Sequence, residues 1–107
     1  MKAAVLIPFY DGHEDLAECL SRLVADLPDG AVVILVDDGS PVSAASNPSL
    51  ASQLDDTRVE LLIHPVNRGP GAARNTALAR CWELGIDLAI LLDADCLPRP
   101  GFVTAHI

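Results

Sequence analysis

The chain has 107 residues, half of them apolar and only 4% aromatic, which is enough for one compact domain with an aliphatic core. Seven basic residues against fifteen acidic residues give a formal net charge of −8, which argues against binding to a nucleic acid backbone. No signal peptide is visible, and no apolar run approaches the ~18 residues of a membrane span. We therefore expect a cytoplasmic protein whose three cysteines, Cys19, Cys81 and Cys96, are reduced, with two of them packed on helices.

Four short apolar segments predict four β-strands. Apart from Glu60 they are continuous rather than alternating, which is typical of strands buried on both faces of a parallel sheet. The segments are residues 3–7, 31–36, 59–63 and 88–92.

The segments between these strands carry helical signals. Leucines recur at helical spacing before the Pro-Asp-Gly sequence at residues 28–30, which ends the first helix. Asn47, followed by a proline, is expected to cap a short second helix. A third helix covers residues 72–84 and ends at Gly85, and a fourth begins at residue 102. The alternation of strands and helices predicts a three-layer α/β/α domain with a mainly parallel, doubly wound sheet.

Acidic and aromatic side chains are concentrated directly after the predicted strands. In doubly wound sheets, ligands bind beyond the carboxyl ends of the strands, near the point where the strand order reverses. The convergence of these residues on one edge of the sheet marks that edge as the candidate ligand site. The segments are Pro8-Phe9-Tyr10-Asp11, Asp37-Asp38-Gly39-Ser40, residues 64–69 and Asp93-Ala94-Asp95.

Asp93 and Asp95 form an Asp-X-Asp motif after the fourth strand. Two carboxylates with this spacing are able to face one Mg²⁺ or Mn²⁺ ion, which keeps open positions for diphosphate oxygens. Such a cation also explains how an acidic protein binds an anionic ligand. The alternative interpretation is an ordinary acidic turn.

A second acidic pair, Asp37 and Asp38, follows the second strand. One ionised carboxylate is able to accept a hydrogen bond from a base N–H or a ribose hydroxyl, whereas the other caps the loop or pairs with an arginine. Tyr10 and Phe9 offer a flat face for a nucleobase. For Phe9, a place in the core is equally open.

The glycine-bearing segment 67–75 is predicted to open the third helix, where backbone N–H groups are able to face an anion. It matches neither a Walker loop nor the dinucleotide fingerprint. Arg68 and Arg74 are candidates for contacting a phosphate, and Arg74 is alternatively a structural partner of Asp37 or Asp38. The three histidines show no metal-ligand spacing, and each is expected in a loop or at the surface.

Four motifs resemble the successive signatures of family 2 glycosyltransferases, in the family's order, from about residue 4 to residue 100. The resemblance implies the Rossmann-like, nucleotide-binding half of a GT-A fold, with strand order 3-2-1-4. The ligand it implies is a nucleoside diphosphate sugar. The motifs are Ile7-Pro8-Phe9-Tyr10, Val36-Asp37-Asp38-Gly39-Ser40, Asn67-Arg68-Gly69 with Ala73-Arg74-Asn75, and Leu92-Asp93-Ala94-Asp95.

The resemblance also implies roles for individual residues. Pro8 and Tyr10 line the base pocket, and Asp37 or Asp38 contacts the base or the ribose. Arg68 and Arg74 flank the nucleotide. Asp93 and Asp95 contact the ribose or sugar and a Mn²⁺ or Mg²⁺ ion on the diphosphate, with Asp95 as the more direct ligand of the ion.

The family inverts the anomeric centre in one displacement, in which a carboxylate base deprotonates the acceptor hydroxyl. Asp11 stands where the family usually has asparagine, and Cys96 stands where a third acid is frequent. The family's base and acceptor-binding segments lie downstream of residue 107. We therefore expect residues 1–107 to be the donor-binding part of a truncated domain, with the catalytic base and the acceptor (a saccharide, lipid or protein) unknown.

Three other interpretations compete with this one. A phosphoacceptor receiver domain also has an acidic pair and a later aspartate, but here the pair follows the second strand and no lysine follows Lys2. A dehalogenase-type phosphatase has a motif like residues 93–95, but after its first strand. A non-catalytic nucleotide-binding module is the third possibility.

Overall fold

A computed structural model describes residues 2–11 and 13–107 of the chain. Four strands alternate with four helices along the chain, as the sequence predicts. Two short 3₁₀ turns, Ala44–Ser46 and Pro48–Leu50, precede the second helix. The elements are β1 (Ala3–Phe9), α1 (His13–Ala25), β2 (Ala31–Asp37), α2 (Ala51–Leu54), β3 (Val59–Ile63), α3 (Pro70–Leu84), β4 (Leu88–Leu91) and α4 (Phe102–His106).

The four strands form one parallel sheet in the order β3-β2-β1-β4, which confirms the predicted strand order. Ala3 of β1 is in register with Ala31 of β2 on one side and Leu88 of β4 on the other. The strand order reverses at β1, because the chain moves outward from β1 to β2 and β3 and then returns to the opposite side of β1 with β4. By the general rule for such sheets, this reversal places a ligand site at the carboxyl end of β1.

Each face of the sheet carries its own apolar core, which confirms the three-layer architecture. Alternate residues of a strand point to opposite faces. Val5 and Ile7 therefore pack with α1, α2 and α4, whereas Ala4 and Leu6 pack with α3. The face of α3 that meets the sheet is made of small side chains, namely Ala73, Ala77 and Cys81.

The prediction that all four strands are buried on both faces is wrong for the two edge strands. β1 and β2 are almost fully buried, but most residues of β3 and β4 are half-buried or exposed. Each edge strand pairs on one side only, and α3 packs against β1 and β2. Glu60 is therefore accommodated on β3 by a 2.7 Å ion pair with Arg80 of α3.

The predicted helix ends are mostly confirmed. Asn47 caps the Pro48–Leu50 turn, with its side chain accepting the Ser49 N–H at 2.9 Å. Gly85 ends α3 in a left-handed conformation, with φ of 68°. α3 begins at Pro70, earlier than predicted, because proline is well suited to the first helical position.

All three cysteines are free thiols, with Cys19 and Cys81 buried on helices and Cys96 exposed, in agreement with the prediction. Within the described part of the chain, no helix is long and apolar enough to cross a membrane.

Candidate functional site

Two cavities lie side by side at the carboxyl ends of the strands. The first, which we call the Asp38 pocket, has a volume of about 200 Å³. The second, the Asp93 cleft, is more open and has a volume of about 390 Å³. The Asp38 pocket is lined by Pro8, Phe9, Tyr10, Asp38, Asn67, Gly69, Pro70 and Ala73. The Asp93 cleft is lined by Phe9, Tyr10, Asp11, Asp15, Asp93, Ala94 and Asp95.

Phe9 and Tyr10 line both cavities and so form their common wall. Phe9 is buried in the core, whereas Tyr10 is 48% exposed and is available to a ligand. Directly after it, Asp11 adopts a left-handed conformation with φ of 57°, which aspartate and asparagine tolerate better than most residues. The Asp11 N–H donates to Ser40 Oγ at 2.8 Å, which ties the loop after β1 to the loop after β2.

Asp37, the last residue of β2, lines neither cavity. It is only 1% exposed, and its carboxylate accepts the Ser40 N–H and the Ala44 N–H, each at 2.9 Å. The side chain of Asp37 turns to the face that carries α1 and α2, where it caps the loop after β2, so of the two acids only Asp38 is placed to contact a ligand in these cavities. Capping the loop is the alternative role that the sequence leaves open for one acid of the pair.

Asp38 turns to the opposite face, lines the Asp38 pocket and is 3% exposed. Its Oδ1 lies 2.7 Å from His64 Nδ1 and accepts the Arg68 N–H at 2.9 Å, while Oδ2 accepts the Gly69 N–H at 2.9 Å. Burial raises the pKa of Asp38, but these hydrogen bonds outweigh burial and leave the pKa below its ordinary value. Asp38 is therefore a buried, ionised acceptor that holds the loop after β3.

Gly39 allows the loop after β2 to approach the loop after β3. Its φ is +73°, and a Cβ atom there would lie 2.4 Å from Asn67 N and from the Val66 carbonyl carbon. Real Cβ atoms do not come that close to backbone, so only glycine fits. The close approach brings the Arg68 and Gly69 amides within reach of Asp38.

His64 was predicted to lie in a loop or at the surface, and it lies in the loop after β3, where it is buried. It is 6% exposed and lies between Asp38 and Thr76 of α3, with Nε2 at 2.7 Å from Thr76 Oγ1. The sequence places residue 64 at this edge of the sheet, but it assigns no role in the site to the His64 side chain or to Thr76. The available signal was position, because His64 follows β3 directly at the same sheet edge as Asp38.

The side chains of Arg68 and Arg74 are exposed and line neither cavity. Arg68 contributes its backbone N–H to Asp38. Within residues 2–11 and 13–107, Arg74 forms no ion pair with Asp37 or Asp38, so the structural pairing considered for it is absent.

The donor atoms of Asp93, Asp95 and Cys96 lie within 4.8 Å of one another, and all three residues are exposed. A cluster of this size is able to surround a single cation, and two carboxylate oxygens suit Mg²⁺ or Mn²⁺. The residues therefore fit the predicted ion, and Cys96 adds a thiol where the resembling family often has a third acid.

Cys19 of α1 is buried near Asp95 and Cys96 of this cluster. Burial, together with the nearby Cys96 and Asp95, raises the pKa of Cys19 to about 11, so its side chain is a neutral thiol at physiological pH. Its part in the domain is packing in the core.

The sequence model of the family described as "Glycosyl transferase family 2" matches residues 4–107. Among curated proteins, pre-mycofactocin glycosyltransferase of Mycobacterium tuberculosis is 42% identical over 87 residues, which are 81% of this chain and 17% of that protein. Undecaprenyl-phosphate 4-deoxy-4-formamido-L-arabinose transferase of Salmonella enteritidis is 35% identical over 102 residues, which are 92% of this chain and 30% of that protein. The chain thus spans less than a third of the length of these relatives.

Two solved structures with a similar fold contain a bound nucleotide or nucleotide sugar. The mannosyltransferase PcManGT of Pyrobaculum calidifontis, in complex with GDP-Man and Mn²⁺, has a TM-score of 0.77 and 25% identity over 97% of this chain and 30% of its own. S. aureus TarS 1–349 in complex with UDP has a TM-score of 0.68 and 26% identity over 89% of this chain and 28% of its own. The fold is that of GT-A glycosyltransferases, and the receiver and phosphatase interpretations are set aside.

Proposed function

The chain belongs to glycosyl transferase family 2, and from this premise we propose that its two cavities bind a nucleoside diphosphate sugar, the donor of an inverting, cation-dependent sugar transfer. The observation that carries the proposal is the pairing of the cavities. One holds a buried anionic acceptor beside an aromatic ring, and the other holds exposed carboxylates within reach of one cation.

The Asp38 pocket is suited to the nucleoside. Asp38 is ionised and accepts hydrogen bonds only, which matches a base N–H or a ribose hydroxyl. Tyr10 offers an exposed aromatic ring, and Pro8 adds an apolar wall. At about 200 Å³ the pocket is smaller than a typical small-molecule site, so it is suited to part of the donor and not to all of it.

The Asp93 cleft is suited to the diphosphate and the sugar. Asp93 and Asp95 would hold the divalent ion, with Cys96 beside them. When bound, such an ion would neutralise charge on the diphosphate leaving group. Asp93 and Asp95 themselves orient that end of the donor and, without a cation, would repel it. The binding of GDP-Man with Mn²⁺ by PcManGT supports this part of the proposal.

The acceptor and the catalytic base belong to the proposal for the whole protein. The chain covers 17% and 30% of the two curated relatives described above. We place the base and the acceptor site in the portion of those proteins that the chain does not cover. Residues 1–107 are then the donor-binding part, and we propose that the exposed Arg68 and Arg74 contact a phosphate of the donor.

The test is calorimetric titration of the chain with UDP, GDP and TDP, each with and without Mn²⁺. We expect one nucleotide to bind best, and its affinity to rise when Mn²⁺ is present. UDP and GDP are the first candidates, because they are the nucleotides of the TarS and PcManGT complexes. Absence of binding of all three nucleotides to a folded sample would contradict the proposal for this chain.

A further inference from the structure

The buried His64 links three elements of the fold. Its Nδ1 lies 2.7 Å from Asp38 Oδ1, after β2, and its Nε2 lies 2.7 Å from Thr76 Oγ1 on α3. His64 itself follows β3, and its side chain is only 6% exposed. Thr76, His64 and Asp38 thus form a series of hydrogen bonds that ends at the acid lining the Asp38 pocket.

The hydrogen-bonding capacity of Asp38 fixes one proton of His64. An ionised carboxylate accepts hydrogen bonds and donates none, so the short contact to Oδ1 requires a proton on Nδ1. The Thr76 hydroxyl lies 3.0 Å from the Ala72 carbonyl oxygen and 2.7 Å from Nε2. It is able to donate its single proton to either group, and both arrangements keep Nδ1 protonated.

The two oxygens of Asp38 are unequally occupied. Oδ1 faces two donors, His64 Nδ1 and the Arg68 N–H, which match its two lone pairs. Oδ2 accepts the Gly69 N–H, and within the described part of the chain it has no second donor. We propose that His64 is a positioning residue of the Asp38 pocket: it saturates Oδ1 and thereby assigns Oδ2 to the ligand, which donates an N–H or O–H group to it. This inference rests on the proposed donor-binding function.

A second contact between β3 and α3 provides a control that separates a positioning role of His64 from a purely structural one. Glu60 of β3 and Arg80 of α3 form an ion pair at 2.7 Å, and neither residue lines the Asp38 pocket. This pair joins β3 to α3 as His64 and Thr76 do, but away from Asp38. Loss of the Glu60–Arg80 link should therefore affect stability without affecting the geometry of Asp38.

The experiment compares His64→Leu, His64→Asn and Arg80→Met with the unaltered chain. Leucine removes the donor and suits a buried place, whereas the asparagine amide nitrogen is the same number of bonds from Cβ as Nδ1 and keeps a donor toward Asp38. We expect His64→Leu to weaken binding of the preferred nucleotide about tenfold or more, because one hydrogen bond to a charged group is lost. His64→Asn should restore most of the affinity, and Arg80→Met should leave it unchanged.

Two further readouts do not depend on the nucleotide. In ¹⁵N spectra of the His64 ring, Nδ1 should carry a proton. Amide hydrogen exchange at Arg68 and Gly69, normalised to amides of β1, should become faster in His64→Leu but not in Arg80→Met. Unprotonated Nδ1, unchanged exchange in His64→Leu, or an equal loss of affinity in His64→Asn and His64→Leu would overturn the inference. If the unaltered chain binds no nucleotide, the proposed function fails, whereas the ring spectrum and the exchange rates still decide whether His64 positions Asp38.

Discussion

The two halves of the site, the Asp38 pocket as the first and the Asp93 cleft as the second, are built in opposite ways. Asp38 is buried and receives hydrogen bonds from a histidine and two backbone amides. Asp93 and Asp95 are exposed, and within residues 2–11 and 13–107 their carboxylates form no hydrogen bond or ion pair. Both groups of acids follow parallel strands at the same edge of one sheet.

The two halves therefore differ in what each requires before it can bind a ligand. The geometry around Asp38 is set by folding, so little ordering remains for the ligand to impose. The carboxylates of the Asp93 cleft repel one another and are restrained by few contacts, so a cation is needed to bring them to a defined geometry. Stability should therefore depend strongly on the first half and weakly on the second.

The largest effect on stability is expected at the close approach of two loops in the first half. Gly39→Ala adds a Cβ to a residue with φ of +73°, at 2.4 Å from Asn67 N. We expect the free energy of unfolding to fall by about 3 kcal/mol, from left-handed strain and overpacking together. Urea denaturation measures this loss.

Gly85→Ala is the matched control for that measurement. Its φ is +68°, but a Cβ there would meet nothing within 4 Å. The free energy of unfolding of Gly85→Ala should fall by about 1 kcal/mol, from the backbone conformation alone. Equal losses in the two variants would contradict the steric argument.

A smaller effect is expected for Asp38→Asn. The amide group cannot accept with its nitrogen, so at least one of the three donors around it loses its partner. We expect the free energy of unfolding to fall by about 2 kcal/mol, the usual scale for a buried hydrogen bond to a charged group. Nucleotide binding should also be lost in the same variant. A fully stable Asp38→Asn protein would show that the first half is not held together by this carboxylate.

The pH dependence of stability should follow the same carboxylate. The pKa of Asp38 is lowered in the folded protein, so its stabilisation is complete above the ordinary aspartate pKa of about 3.9. It is lost as the pH falls from there through the lower folded pKa, because the unfolded chain takes up the proton first. The stability difference between the unaltered chain and Asp38→Asn should therefore shrink as the pH falls below about 4.

Asp56, whose pKa is lowered to about 2 by Arg58, adds a change of the same sign. That change is present in both proteins and cancels in the comparison. Urea denaturation over this pH range is the measurement, and a difference that stays constant would contradict the argument.

The smallest effect on stability is expected in the second half. Asp95→Asn removes an exposed charge that has no partner in the described structure, so stability should change by less than about 0.5 kcal/mol. Mn²⁺-dependent nucleotide binding should nevertheless be abolished. Asp29→Asn, an exposed acid at the opposite end of the sheet, is the control that should change neither quantity. Unchanged Mn²⁺-dependent affinity in Asp95→Asn would overturn the assignment of the ion to this cleft.

Much of the fold was predictable because it depends on patterns within short segments. Continuous apolar runs indicated the strands, and Pro, Asn and Gly marked the helix ends. Burial of the edge strands was not predictable in the same way, since it depends on which strands lie outermost and on where α3 packs. Glu60 was the one polar residue within the runs, and it lies on an edge strand.

In the candidate site, the roles of single residues also depend on tertiary packing that local sequence patterns do not reveal. Asp37 and Asp38 are neighbours in sequence, but consecutive residues at a strand end point to opposite faces. Leu35 packs on the α1 face and Val36 on the α3 face, so Asp37 and Asp38 continue that alternation. Which acid contacts His64 and lines the pocket therefore depends on which face of the sheet α3 covers. No pattern local to the sequence contains that information.

The common wall of Phe9 and Tyr10 has a thermodynamic consequence. Because both cavities contact the same two side chains, a ligand that shifts the Tyr10 ring in one cavity changes the shape of the other. Any resulting coupling is reciprocal: if the cation raises nucleotide affinity by some factor, the nucleotide raises cation affinity by the same factor. Tyr10 would then transmit cooperativity between two ligands, and its substitution would uncouple the two binding equilibria even where each one survives.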